Sequence, residues 1–329
     1  MNRLRRAIVL ATFVWPFAAA AQQAKKVWRI GILAGAPQTN APHEAFRQRL
    51  RELGYVEGRN LAIEWRPVEG RPERAPEFAA ELVRLKVDCI AAGGVSSIRA
   101  AKQATASIPI VMTNVDADPV ELGFVTSLAR PGGNVTGFTG IAHDLAAKRI
   151  ELLRELVPSV RRIGMIVNAS TQGVVGDAQK AHYRGTEDAV KKLGIESRLF
   201  ALKSIDELDG LFSRTTDWRP DALSFFSGSW FRSNRARIMD WVARMKLPAV
   251  YSNTEYVEYG GLMGYSDDEL HRFREVADYV AKILSGVRAA DLPVQQPTRF
   301  LLAVNVKTAK ALGITIPQSI LLRADRIIQ

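Results

Sequence analysis

IPIVMTNVDADPVELGFVTSLARPGGNVTGFTG, residues 108–140, is the stretch on which the fold turns. Its β-branched opening, Ile108–Val111, predicts a buried strand. The run breaks into Thr113, Asn114, Asp116 and Asp118, and Pro119 closes the loop. Val120–Ala129 is expected to be helical and to end at the breaker cluster Pro131-Gly132-Gly133-Asn134. Val135–Thr139 then reads as a second strand. A strand end dressed with short polar side chains suits a ligand crevice, because open α/β sheets bind ligands beyond the carboxyl ends of their strands. The same Asp and Asn also serve as helix caps, so the loop alone does not decide between the two roles.

Working outward, the preceding chain alternates strands and amphipathic helices. Trp28–Gly35 and Leu61–Trp65 read as strands, with a helix between them that Gly54 stops. Val87–Gly93 is a further apolar strand, and Ser96–Ala106 a helix. Mostly apolar strands separated by amphipathic helices imply a parallel sheet covered on both faces. The grammar restarts after Gly140: Arg162–Asn168 (RIGMIVN) echoes Arg29–Leu33 (RIGIL). Strands follow at Ser197–Leu202, Ala222–Phe226, Leu247–Tyr251, Gly261–Tyr265 and Phe300–Val306. Phe231–Met245 and Leu270–Leu284 read as helices between them, and the latter is expected to pack back on the first unit. The expected fold class is therefore α/β: two Rossmann-like, doubly wound parallel-sheet lobes joined by hinge strands. Candidate crossings are Val135–Gly140, Gly261–Ser266 and Asp291–Pro297. The expected division is a signal peptide at 1–21, lobe 1 at 22–140 plus 267–290, and lobe 2 at 141–266 plus 291–329.

Composition agrees with this reading. The chain has 329 residues, 47% hydrophobic and 24% charged, which is the range of soluble globular proteins with more than one core. Arg3, Arg5 and Arg6 precede the apolar run Ala7–Phe17, and Ala19 and Ala21 supply small residues for cleavage before Gln22. That pattern predicts export to a periplasm, with cleavage near Ala21. The apolar run is shorter than the roughly 20 residues a spanning helix needs. The formal charge is +11, and its basic residues are interleaved with acids rather than gathered in a stripe. Solvated helix faces explain them better than nucleic-acid binding, which an exported protein also rarely meets. A lone cysteine, Cys89, makes no internal disulfide and is expected to be a small buried hydrophobe.

Catalytic signatures are missing. There is no G-x-G-x-x-G after a strand, no G-x-x-x-x-G-K-[ST], no H-E-x-x-H and no C-x-x-C. The four histidines have no metal-ligand spacing, so no cofactor or metal is expected. What remains is a set of polar strand ends. Ser96 and Ser97 sit at the start of a helix after Gly93-Gly94, a place that suits an anion or carboxylate. Asn114, Asp118 and Thr139 come from the opening segment, and Asp118 would suit a ligand ammonium. Asn168, Ser227, Asn253, Glu255 and Tyr265 end strands of the second unit. Each also has a plain turn or packing reading.

Longer phrases carry a family likeness: Ala45–Asn60 (AFRQRLRELGYVEGRN), Asp118–Gly137 (DPVELGFVTSLARPGGNVTG), Tyr259–Tyr265 (YGGLMGY), Ala290–Phe300 (ADLPVQQPTRF) and Asn305–Leu322 (NVKTAKALGITIPQSILL). In these the chain resembles the ABC-transporter substrate-binding proteins of tryptophan and tyrosine uptake. The resemblance implies a type I periplasmic binding protein: two lobes, three hinge crossings and a small molecule clamped between them without catalysis. It also implies a membrane permease with its ATPase as partner, and a monomer. The expected ligand is an amino acid or an aromatic or carboxylate compound. At Phe226-Ser227-Gly228 the chain departs from amino-acid binders of the family, which look to carry an acidic or amide residue there. A ligand-sensing module for a membrane receptor is the alternative reading on the same fold. An export signal in place of a DNA-reading headpiece argues against a repressor.

Overall fold

The computed structural model describes residues 26–34, 41–68, 71–169, 174–211, 218–226 and 228–329, so the signal-peptide reading lies outside the described residues. Hydrophobic alternation and helical spacing resolve into β1 (Trp28–Ala34), α1 (Ala41–Glu52), β2 (Leu61–Pro67), α2 (Ala75–Arg84), β3 (Cys89–Gly93), α3 (Val95–Ala104), β4 (Ile110–Asn114) and β5 (Val135–Gly137). These strands form a five-stranded parallel sheet in the order β2-β1-β3-β4-β5. The chain continues through α4 (Ala142–Leu156), β6 (Arg162–Asn168), α5 (Val174–Lys192), β7 (Glu196–Leu202), β8 (Ala222–Phe225), α6 (Ser229–Ser233), α7 (Arg235–Met245) and β9 (Ala249–Tyr251). It ends with α8 (Glu255–Glu258), β10 (Met263–Asp267), α9 (Glu269–Leu284), β11 (Phe300–Asn305), α10 (Val306–Ala311), α11 (Gln318–Arg323) and β12 (Arg326–Ile328). The second sheet has seven strands in the order β12-β11-β10-β9-β8-β6-β7.

Each sheet is buried by the stripes its helices present. In α2 the buried positions Ala75, Phe78, Ala79 and Leu82 recur at helical spacing and face the first sheet. Leu82 lies so close over β1 that a Cβ on Gly31 would come within 2.8 Å of its methyl groups. The opposite face of that sheet is covered by α1 together with α9, which returns from far along the chain. Phe273, Val276, Ala277 and Val280 of α9 join Ile30, Phe46, Val111 and Phe138 in one core. The second sheet has its own core, built on Ile163, Ile166, Leu223, Phe225, Trp241 and Val250.

Three segments differ from the sequence expectation. Val120–Ala129 is not a helix: Phe124 N bonds Pro119 O after one turn, and Gly123, at φ +69°, ends it. A glycine in the left-handed region closes a helix, and Pro131 bars a restart. The predicted helix Phe231–Met245 is two helices, because the Asn234 side chain donates to Trp230 O at 2.8 Å and its backbone leaves helical values. The second sheet is mixed rather than parallel, since β10 and β11 pair antiparallel. The chain leaves that sheet at the end of β10 and re-enters at the start of β11 on the same side, so the two strands must run in opposite directions.

The chain crosses between the sheets near residues 138–141, 267–268 and 295–299. Neighbouring crossings hold one another by backbone bonds: Gln295 N donates to Gly137 O and Thr139 N to Gln295 O, both at 2.9 Å. Asp268 N donates to Arg299 O, also at 2.9 Å. Gly137 is central to this ribbon. It sits at φ +123°, and a Cβ there would lie 2.3 Å from Met112 O. Gly137→Ala is therefore expected to lower unfolding free energy by about 3 kcal/mol, the scale of left-handed strain with a backbone clash added. Urea denaturation compared with the parent protein measures it.

Candidate functional site

The site is built where strand ends of one sheet look toward the other. At the end of β3, Gly94 takes φ +80° and donates its N–H to Asn114 O at 3.0 Å. This brings the starts of α3 and of the loop after β4 together. No side chain caps α3, so the N–H groups of its first turn stay available. Ser96 is half-buried in that turn. Ser97 is fully buried, and its hydroxyl has no partner among the described residues. Across the gap, α3 lies against α5 of the second lobe.

The loop after β4 uses its polar groups partly on itself. Asn114 Nδ2 donates to Asp116 Oδ1 at 3.0 Å. Asp118, exposed, accepts from Val120 N at 2.7 Å and from Glu121 N, so it caps the single turn that follows. Thr139 is buried and ties the hinge to this loop, donating to Val115 O at 3.2 Å. Asp116, Asp118, Thr139 and Gly140 share a depression of about 260 Å³ with Ile141, His143, Asp144 and Gln296, where the first sheet meets the start of α4.

The second lobe contributes differently from what its sequence led one to expect. Asn168 is buried at the end of β6, its amide directed to Leu202 O at 3.4 Å. Asn253 Oδ1 accepts from Glu255 N at 2.7 Å and so opens α8, while the Glu255 carboxylate faces Arg235 at 3.8 Å. Tyr265 stacks on Phe300 with ring centroids 6.2 Å apart and packs against the second core. Neither Glu255 nor Tyr265 joins the depression beside the hinge. Ser227 lies outside the described residues.

Charged groups missed in the sequence occupy the junction instead. Arg149 of α4 is 3% exposed. Its Nε donates to Tyr265 O at 2.7 Å and a terminal nitrogen to Ser252 O at 3.4 Å, which ties the middle of β10 to the residue just after β9. Burial pushes its guanidinium down to about 10, opposed by the charges of Asp116 and Asp267. His182 of α5 lies 3.5 Å from Arg149 and stacks on Phe226 at 4.0 Å. Burial, then the Arg149 charge, holds it well below the ordinary histidine value. Asp267 pairs with Arg272 at 3.0 Å, yet burial raises its carboxyl. One signal was readable for Arg149: it interrupts the apolar stripe Leu145, Leu152, Leu153 and Leu156, so the helix had to bury it.

Comparison with known proteins gives the family of the chain. A family model described as ABC transporter substrate binding protein matches residues 32–328. The chain belongs to that family. A tyrosine-binding protein of Clostridioides difficile is 28% identical over 291 residues, covering 88% of this chain and 81% of the relative. The crystal structure of an ABC domain in complex with L-Trp from Streptococcus pneumonia superposes with TM-score 0.81 at 26% identity, covering 92% of this chain and 99% of that one. The ligand-free, open structure of a substrate binding protein with adhesive properties from Clostridium difficile gives TM-score 0.68 at 25% identity, covering 92% and 100%. The fold is that of the type I periplasmic binding proteins. Among the described residues no helix is long and apolar enough to cross a membrane, and no cluster of metal-ligating side chains occurs.

The two histidines of the second lobe report these environments with opposite signs. His143 bridges Asp144 at 3.1 Å and Asp188 at 3.0 Å, and these carboxylates raise its value above 6.5. His182, depressed, favours the fold above its unfolded value of 6.5, and that contribution is lost as pH falls toward its folded value. Melting temperature is thus expected to fall as pH drops below about 6.5, and less steeply in His182→Gln. NMR titration should find the His143 midpoint above the ordinary histidine value of 6.5 and the His182 midpoint below it. Asp188→Asn should lower the His143 midpoint.

Proposed function

We propose that this chain is the exported solute-binding component of an ABC-type importer. It would act as a periplasmic monomer that closes its two lobes on a small organic ligand and hands it to a membrane permease driven by an ATPase. Lobe 1 is taken as 22–140 plus the segment from 267, and lobe 2 as 141–266 plus the C-terminal strands. Leu292 and Val294 pack in the cores of lobe 1, which favours a last boundary nearer Gln295 than Asp291. The proposed ligand is an amino acid with an aromatic side chain, or an aromatic carboxylate.

The observation that carries this reading is the start of α3. An uncapped first turn with a fully buried, unpartnered serine hydroxyl is costly unless something accepts from it. A carboxylate satisfies the Ser97 hydroxyl and the free N–H groups together, and the helix dipole favours it there. Three further facts support the reading. The matched family consists of substrate-binding proteins. Relatives of similar length are named for tyrosine binding or hold L-Trp. The lobe arrangement scores higher against the L-Trp complex than against the open, ligand-free relative.

Thermal-shift and calorimetric titration of residues 22–329 with L-tryptophan, L-tyrosine and aromatic carboxylates tests it. At least one is expected to raise the melting temperature in a concentration-dependent way. Ser97→Ala should weaken that ligand by about tenfold, while leaving the ligand-free melting temperature unchanged or higher, because it removes an unpaired buried hydroxyl. A library that leaves the melting temperature unmoved would defeat the reading. So would a Ser97→Ala protein that binds as well as its parent.

A further inference from the structure

We propose that Arg232 and Glu269 form a latch between the lobes: where the lobes close as proposed above, this ion pair sets how far the ligand-free protein is already closed. Arg232 belongs to α6, whose Phe231 packs in the core of the second sheet. Glu269 opens α9, whose Phe273 packs in a core of the first. Arg232 Nη2 stands 3.5 Å from Glu269 Oε2. Among the described residues this is the one ion pair that joins a helix of each lobe, and no other carboxylate lies within 4 Å of Arg232. Arg235, the neighbouring arginine of α7, turns back into its own lobe instead, toward Glu255 at 3.8 Å and over the Tyr259 ring at 4.8 Å. Glu269 raises the Arg232 guanidinium above its ordinary value, in keeping with that geometry.

The carboxylate is held ready on its own side. Asp268, in the second crossing, caps α9 by accepting from His271 N at 3.0 Å, so Glu269 follows the crossing directly. Arg272, 5% exposed, reaches back with one terminal nitrogen to Asp267 at 3.0 Å and with the other to Glu269 Oε1 at 3.8 Å. One carboxylate thus meets an arginine from each lobe, one oxygen to each. An exposed ion pair gains little, in part because two long side chains must be ordered to make it. Here Arg272 and the helix start have ordered one partner already, and the pair keeps only 34% and 26% of its side-chain surface exposed. Such a pair shifts an equilibrium by about threefold rather than a hundredfold. Arg232 and Glu269 lie on opposite sides of the crossing at 267–268, so parting the lobes separates them and forfeits the pair. A ligand's apparent affinity scales with the closed fraction that the pair supports.

Arg232→Gln, Arg232→Lys and Glu269→Gln test the latch, with nitroxide labels on cysteines placed at the exposed Gln103 of α3 and Arg184 of α5, helices that face each other across the gap. The native Cys89 is fully buried, with its thiol pushed up to about 12, and is expected to escape labelling. In the ligand-free protein, pulsed EPR should show both glutamine variants shifted to longer distances. Arg232→Lys, which keeps the charge, should stay at the parent distance. Raising salt to about 1 M should lengthen the parent distance and leave Arg232→Gln where it was. For whichever of L-tryptophan or L-tyrosine the parent protein binds, each glutamine variant should weaken affinity by about threefold. The double glutamine variant should be no worse than the worse single one, since both act through one pair. Unchanged ligand-free distances in both glutamine variants, an Arg232→Lys protein as open as Arg232→Gln, or additive losses would overturn the proposal. If the parent binds neither amino acid, the solute-binding reading suffers while the ligand-free distances still decide the latch.

Discussion

The backbone bonds among the crossing segments are what the rest of the molecule depends on. Gln295 gives its N–H to Gly137 and takes one from Thr139, so the first and third crossings are two strands of one short ribbon. The β10–β11 pairing adds the second crossing beside the third. Buried backbone groups at a junction must find partners, and here they find each other. From this follow the left-handed glycine at 137, the antiparallel step in an otherwise parallel sheet, and the start of α4 directly beside the loop of β4. The ribbon joins the lobes while each sheet keeps a core of its own.

The second lobe is stiff where it faces the junction. Tyr251 stacks between Phe225 and Tyr256 with centroids 5.2 and 5.1 Å away, and Phe231 meets Phe225 edge-on. Burial raises the Tyr251 hydroxyl, which has no partner among the described residues and stays protonated. Arg149 ties the middle of β10 to the residue just after β9. Close-packed aromatics and a tied-down strand give this part of the lobe few alternative shapes.

Local periodicity made most elements legible. The β-branched runs around Ile30, Ile110 and Ile163 and the apolar stripe of α9 point to strands and a helix without any knowledge of the rest. Two competing local signals spoiled particular readings. Gly123 outweighs the helical spacing of Val120–Ala129, and the Asn234 side chain divides one amphipathic run into two helices. The candidate site was less legible for a physical reason. A strand end carrying Asn or Asp looks alike whether its side chain ties the backbone two residues on, as Asn253 and Asp118 do, or stays open. Ser96 and Ser97 were visible because glycines precede them at a helix start. His182 was hidden, and Arg149 showed only as a break in an apolar stripe, because charge in a helix ordinarily means solvent and tertiary packing turned these two inward.

The placement of α9 has a consequence for how the chain becomes a protein. One face of the first sheet, carrying Ile30, Ile32 and Val111, is covered by residues 269–284, more than a hundred positions after β5 has been made. Until that helix arrives, an apolar surface stays open and the first lobe cannot finish. Contacts of such long sequence separation make folding slow. The order in which the chain is made is therefore not the order in which its first lobe can close its core: the N-terminal sheet waits on a helix from the far side of the second lobe.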